Sequence, residues 1–212
     1  MEGIMHFALD HRKASKQFTP AYNYHYLKHP FVRWRGALNR KQVSDIIARY
    51  DALAEQSAIV GNGSSSSVRQ SKVCWIPFED EPALYNHIAE IAQQLNGQFF
   101  GFDLWGFKEC IQYTKYEGSV EGHYDWHQDS YIDIRDGIVQ HLPRKLSLTI
   151  QLSDTEEYEG GDLEVFDSKS IKTPRELGSA TAFAAFMQHR VTPVTNGIRR
   201  SLVAWATGPA FR

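Results

Sequence analysis

His127-Gln128-Asp129 sets an imidazole and a carboxylate two residues apart. On an extended strand residues i and i+2 face the same way, so this spacing offers two metal ligands on one side. His189, far downstream, can bring a third. Two histidines and one carboxylate leave coordination positions open, which suits a non-haem Fe(II) that must also bind substrate and oxygen. Ten residues after His189 stands Arg199, within Asn196-Gly197-Ile198-Arg199-Arg200-Ser201-Leu202-Val203-Ala204-Trp205. That segment reads as a turn feeding an arginine into an apolar strand. A buried guanidinium needs an anion, because an unpaired buried charge is costly. Arg199 and Ser201 share a strand face and can together grip one carboxylate, by a fork plus a hydroxyl. An internal bridge to Asp or Glu is the plainer alternative. Arg200 points the other way and is expected in solvent.

The approach to the ligand pair is glycine-bearing. Gly118 and Gly122 permit a tight, irregular path before His127 and Asp129. His123 competes for the ligand role, but on a strand it would lie about 13 Å from His127. It is expected on the surface or supporting the ligands. Trp126 beside His127 can line the substrate side or serve the core equally well.

These residues need a scaffold, and the remaining sequence describes one. The chain has 212 residues and a formal net charge of −2, a length suited to one β-rich domain. No global basic field points to nucleic acid or anionic lipid. Two cysteines, Cys74 and Cys110, are too few for a disulfide framework and read as reduced core thiols. No signal-like segment opens the sequence, and no apolar run reaches about 18 residues. A cytoplasmic protein without a membrane span is expected.

Residues 1–29 form a polar arm in which Tyr22, Tyr24 and Tyr26 alternate like a strand face. Residues 30–98 read as helical support with a substrate-side loop. Asn39 can cap a helix whose apolar stripe is Val43, Ile46, Ile47, Tyr50 and Leu53. The Gly/Ser run 61–67 reads as a mobile loop, and 68–78 as one strand. A second helix starts after Asp80 at Pro82, carries Leu84, Ile88, Ile91 and Leu95, and stops at Asn96-Gly97. From residue 99 to 208, runs rich in β-branched and aromatic residues alternate with turns: 105–116, 145–153, 162–166, 180–186 and 199–207. Short strands with frequent turns predict a mainly β double-sheet core, a jelly roll, buttressed by the two helices.

His127-x-Asp129, His189 and Arg199-x-Ser201 together resemble the signature of the Fe(II)- and 2-oxoglutarate-dependent oxygenases. The segments 116–126, 144–148, 158–163 and 189–195 are similar to the prolyl-4-hydroxylase-like branch, which includes the PKHD-type hydroxylases. The resemblance covers about residues 99–208. It implies a double-stranded β-helix in which His127, Asp129 and His189 hold Fe(II). Arg199, assisted by Ser201, would bind the distal carboxylate of 2-oxoglutarate. Tyr116, Thr149, Leu163 and Val191 would line the cosubstrate pocket. Gln151 stands where relatives often carry a tyrosine, a departure that leaves its role open. Tyr124 and Trp126 would face the substrate. The implied cosubstrates are 2-oxoglutarate and O₂, with ascorbate a candidate reductant. The implied activity is hydroxylation of an unactivated C–H bond, foremost a prolyl residue of a peptide or protein, releasing succinate and CO₂. A free amino acid or another small molecule is the alternative substrate.

Three rivals are weaker. A cupin-type metalloenzyme commonly uses more histidines and needs no deep arginine. A nucleic-acid repair oxygenase typically has another arginine six residues after the cosubstrate arginine, where this chain has Trp205. A non-catalytic module would be expected to have lost a ligand.

Overall fold

The computed structural model describes residues 30–56, 68–130, 134–135, 138–139 and 143–209. The tyrosine-bearing arm and the Gly/Ser loop 61–67 lie outside the described residues. Strand β1 (Val32–Trp34) leads to helix α1 (Arg40–Gln56), followed by β2 (Arg69–Gln70), β3 (Lys72–Ile76) and helix α2 (Pro82–Leu95). The remaining strands are β4 (Gly106–Phe107), β5 (Ile111–Glu117), β6 (His123–His127), β7 (Ile134–Arg135), β8 (Ile138–Val139) and β9 (Arg144–Gln151). They continue as β10 (Tyr158–Gly160), β11 (Leu163–Asp167), β12 (Lys169–Lys172), β13 (Ala180–Ala184), β14 (His189–Val191) and β15 (Val194–Thr207).

Two antiparallel sheets form the core. The large sheet runs β1-β13-β9-β15-β5-β3, with β4 and β10 also paired to β15. The small sheet runs β12-β11-β14-β6-β2. This is the mainly β, double-sheet jelly roll that the strand pattern predicts.

Period-two alternation gives the large sheet two different faces. On β9, Leu146, Leu148 and Ile150 join the apolar core beneath the helices, while Ser147, Thr149 and Gln151 point the other way. On β15, Leu202, Ala204 and Ala206 take the helix side. Arg199, Ser201, Val203 and Trp205 take the opposite side and line a cavity. Ile46, Tyr50, Ile88, Ile91 and Leu95 bring α1 and α2 onto the first face.

Several local expectations need correction. Asn39 and Gln42 cap α1 reciprocally, each side-chain oxygen accepting the other's backbone N–H at 2.9 Å. Leu53, however, is 48% exposed, and Ala54 takes the inward position, because the buried stripe continues from Tyr50 by four residues. The second helix does not stop at Asn96-Gly97. It widens into a π turn, Asn96–Phe100, ended by Gly101 at φ 68°. The Asn96 amide brackets the Phe102 backbone, accepting at 2.9 Å and donating at 2.8 Å, and the extra turn buries Phe100.

The stretch 68–78 is two strands, since β2 pairs with β6 in the small sheet and β3 with β5 in the large one. Ser71 is the buried break where the chain changes sheets. The 105–116 run is likewise broken into β4 and β5. Arg200 is not in solvent. The even positions of β15 face a helix, and Arg200 Nε donates to Asp51 of α1 at 2.7 Å. Burial pushes the Asp51 carboxyl up, but bonds from Arg200 and Tyr113 outweigh it and hold the group down at about 2. Cys74 and Cys110 are free and half-buried. Among the described residues no helix is long and apolar enough to cross a membrane.

Candidate metal and cosubstrate site

The three expected ligands converge. His127, Asp129 and His189 each offer a ligand atom, all within 4.8 Å of one another. His127 and His189 are direct partners across β6 and β14, which sets their rings 4.1 Å apart. Asp129 reaches the group differently from the expectation, because β6 ends at His127. Its backbone N–H donates to Ala185 O at 2.9 Å, and its carboxylate accepts from Ser147 Oγ at 2.7 Å. The acidic ligand therefore ties the small sheet to the large one.

Two of the three donors, His127 and Asp129, are held in metal-binding form. Burial, helped by the neighbouring His189, pushes the His127 imidazole down to about 4, so it is neutral near pH 7. Burial raises the Asp129 carboxyl, but His189, the Ser147 hydroxyl and His127 outweigh it and hold it below its ordinary value. His127 Nδ1 lies 2.7 Å from Asp125 O, and His189 Nδ1 3.0 Å from Met187 O. With those carbonyls accepting from Nδ1–H, each Nε2 is left as the free donor atom for a metal. A neutral His127 imidazole, an ionised carboxylate and backbone-fixed orientations of both histidine rings fit a divalent ion such as Fe(II).

Arg199 lies in the same cavity of about 240 Å³. It is 2% exposed, and among the described residues no carboxylate pairs with it. Its Nη1 donates to Ser201 Oγ at 3.4 Å, and the guanidinium lies 5.4 Å from the Tyr116 ring centre. A buried cation held by a hydroxyl and an aromatic ring is prepared for an incoming carboxylate. Gly161 makes room for it, since a Cβ there would stand 3.1 Å from Arg199 Cδ at a backbone φ of +61°. Tyr116, Thr149, Leu163, Val191 and Ser201 line the cavity as expected.

Two expected contacts fall elsewhere. Gln151 does not line the main cavity. Its amide donates to Tyr158 Oη at 2.8 Å and faces a water-sized cavity of about 10 Å³ that Arg199 and Thr149 also border. Trp126 is on the opposite face of β6, edge-on to Phe166 with centroids 5.9 Å apart and beneath Arg190. Alternation sends Trp126 away from His127, its neighbour. Tyr124 would alternate away too, but a bulge intervenes: His189 pairs with His127 while Val191 pairs with Tyr124. Arg190 of β14 thus opposes both Asp125 and Trp126 of β6, and Tyr124 stacks on His127 at 3.5 Å within the cavity. His123, as expected, is outside the ligand cluster, with Nδ1 2.8 Å from Glu121 O.

Sequence reasoning missed other lining residues. Ser147, which lies behind the lining and donates to Asp129, was missed as well. Arg144 lies 3.9 Å over Trp205 and forks onto Glu109 with two 2.6 Å bonds. Trp205 is buried, and among the described residues its Nε1 has no hydrogen-bond partner, although it lies near enough to Asp129 to help hold that carboxyl down. Arg69, Gln112 and Trp75 complete the end of the cavity opposite Arg199. No local pattern announces these residues, since strand pairing alone gathers them.

Comparison with known proteins agrees with this geometry. A family model described as the 2OG-Fe(II) oxygenase superfamily matches residues 111–207. A PKHD-type hydroxylase of Janthinobacterium sp. (strain Marseille) is 38% identical over 96 residues, 44% of this chain and 41% of that relative. The match therefore spans about two fifths of that protein's length. A PKHD-type hydroxylase of Acidovorax ebreus is 29% identical over 174 residues, 79% of this chain and 74% of that one. In fold, a prolyl-4-hydroxylase of Pseudomonas putida superposes with a TM-score of 0.64 at 19% identity, covering 87% of this chain and 96% of its own. A prolyl hydroxylase of Trichoplax adhaerens, in complex with a hypoxia-inducible-factor peptide fragment, gives a TM-score of 0.66 at 18% identity and 94% coverage of each chain. The matched stretch 111–207 is the one that holds all three ligands and the buried arginine, and over it this chain is similar to the 2OG-Fe(II) oxygenase superfamily.

Proposed function

We propose that this protein hydroxylates an unactivated C–H bond, most directly that of a prolyl residue in a peptide or protein. The observation that carries the reading is the placement of His127, Asp129, His189 and a buried Arg199, unpaired by any carboxylate of the described residues, around one cavity. Fe(II) held by the three ligands would, with O₂ and 2-oxoglutarate, supply the oxidation that puts one oxygen atom into the substrate and the other into succinate, with CO₂ released. The protein's part is positioning and exclusion of side reactions. Arg199 and Ser201 orient the distal carboxylate of the cosubstrate. Leu163 and Val191 wall its carbon chain from water. Ser147 fixes the Asp129 carboxylate, and Tyr124 braces the His127 ring.

The prolyl assignment draws on the prolyl hydroxylases of like fold and on the aromatic lining contributed by Tyr124, Trp75 and Trp205. Polyproline segments are pre-extended, so an aromatic-lined groove holds them at low entropic cost. A cytoplasmic setting is part of the proposal, in keeping with the free thiols Cys74 and Cys110. The experiment incubates the protein with Fe(II), 2-oxoglutarate, O₂ and a panel of proline-containing peptides beside free amino acids. Mass spectrometry scores a one-oxygen gain together with succinate. Peptides should gain oxygen in step with succinate formed. Full turnover of free amino acids with no peptide modified would transfer the iron chemistry to the small-molecule reading.

A further inference from the structure

The cavity holds a second cation that the chemistry above does not use. Register places it. Along β15 the cavity face runs Arg199, Ser201, Val203, Trp205, and Gln112 of β5 stands opposite Val203. Trp75 of β3 pairs in turn with Gln112. Arg69 reaches this end from β2, and its Nη2 donates to Gln112 Oε1 at 3.0 Å while its Nε donates to Ser71 Oγ at 2.7 Å. Both acceptors are neutral. Among the described residues no carboxylate pairs with Arg69, and three of its five N–H groups remain available. The guanidinium is half-buried and stacks 4.6 Å over Tyr124, which stacks on His127.

Charge balance shows why this matters. Fe(II), Asp129, Arg199 and a doubly charged 2-oxoglutarate sum to zero. The remaining arginine of the cavity, Arg144, already has the Glu109 carboxylate. Among the described residues Arg69 is left as an uncompensated positive charge beside the reacting centre, in a site that a bound substrate would partly desolvate. Such a charge favours a substrate that neutralises it and disfavours one that cannot.

We propose that the substrate carries a carboxylate and that Arg69 receives it, opposite the arginine that receives the cosubstrate. The proposal rests on the oxygenase reading of the site. Only the Tyr124 ring separates Arg69 from the metal ligand His127, so the carboxylate belongs to the hydroxylated residue itself or to its immediate neighbour. Trp75 and Trp205, with ring centres 6.1 Å apart, offer apolar surface to the carbon skeleton. Gln112 aims the fork, its Oε1 also accepting from Thr114 at 3.1 Å. A free carboxylic acid of amino-acid size and an acidic side chain next to the target residue share this chemistry.

The test is a binding titration on the full chain loaded with Zn(II) in place of Fe(II) and saturated with 2-oxoglutarate, followed by tryptophan fluorescence. The probes are three matched pairs: N-acetyl-L-proline and its amide, acetyl-Pro-Asp-amide and acetyl-Pro-Asn-amide, and 3-phenylpropionate and its amide. In at least one pair the acid should bind about tenfold more tightly than its neutral partner, the scale of one charge-assisted hydrogen bond. Arg69→Gln should abolish that preference, and Arg69→Lys should keep part of it, since a point charge replaces the fork. Preference in the first pair identifies a free acid, and in the second an acidic neighbour. Preference in the third pair alone keeps the carboxylate and removes proline. Equal binding of acids and amides, no binding by any member, or a preference that survives Arg69→Gln would overturn the assignment. Failure to saturate with 2-oxoglutarate would instead count against the oxygenase reading, and would show before any probe is added.

Discussion

The two faces of the large sheet are built from the same strands and do opposite things. Leu148 and Ser147 are adjacent on β9, as are Leu202 and Ser201 on β15. The leucines lie in a continuous apolar core under α1 and α2. The serines take the cavity side of the sheet, where one hydroxyl holds a metal ligand and the other a buried arginine. On the helix side polar groups are paired off, as Arg200 is with Asp51. On the cavity side Arg199 has no internal carboxylate among the described residues. The difference shows that the buried, paired face supplies rigidity, which lets the other face hold an unbalanced charge in place.

The comparison predicts that cavity-side changes remove binding and leave the fold, whereas helix-side changes do the reverse. The largest effect belongs to His189→Ala. Iron content and hydroxylation should both fall to background while circular dichroism and melting stay near the parent. Equal iron content and activity would sink the ligand assignment.

Next comes Arg199→Ala, which should cost roughly 2–5 kcal/mol of 2-oxoglutarate affinity. Arg199→Lys should also weaken binding despite its charge, because an ammonium cannot form the fork. Calorimetric titration reads both. Across the sheet, Leu148→Ala should lower unfolding free energy by about 2–5 kcal/mol and leave ligand affinities of the folded protein unchanged. Denaturant melts beside the same titration separate the two outcomes.

The metal-free protein should lose stability in acid. Burial holds the folded His127 near 4, against 6.5 for an ordinary imidazole. Below that ordinary value the unfolded chain takes up a proton that the folded one refuses. Stability is thus full above about pH 6.5 and declines as pH falls toward 4, by about 3 kcal/mol from this group. The depressed Asp129 carboxyl acts in the same direction at lower pH. Thermal melts of chelator-treated protein across that window, with His127→Gln flattening the slope, give the check. The smallest effect is expected for Ser147→Ala, about 10–100-fold in metal affinity, the usual scale for a group that orients a ligand. A metal titration showing no change would mean that the Ala185 contact alone positions Asp129.

The ligands were legible because their chemistry is local: a His-x-Asp pair, a histidine at a strand end, an arginine entering an apolar run. The helices were legible from period and caps, apart from where α2 ends, which the burial of Phe100 decides. Arg200 was misread because alternation tells which face a residue takes, but not that a helix covers that face. Trp126 and Tyr124 could not be told apart in sequence. A single bulge, visible only in strand pairing, returns Tyr124 to the cavity and leaves Trp126 outside it. Ser147, Gln112 and Arg69 carry no motif, and their significance comes from partners brought by other strands.

What the sequence by itself determined is the donor set, an arginine entering an apolar strand and the alternation that builds a two-faced sheet. These depend on residue type and on spacings along one strand. Tertiary structure decided the rest: that Asp129 spans the two sheets, that Arg200 is enclosed while Arg199 is left free for an anion, and that Arg69 stands at the other end of the cavity. Such outcomes depend on register between distant strands, and a shift of one residue would turn every side chain of a strand to its other face.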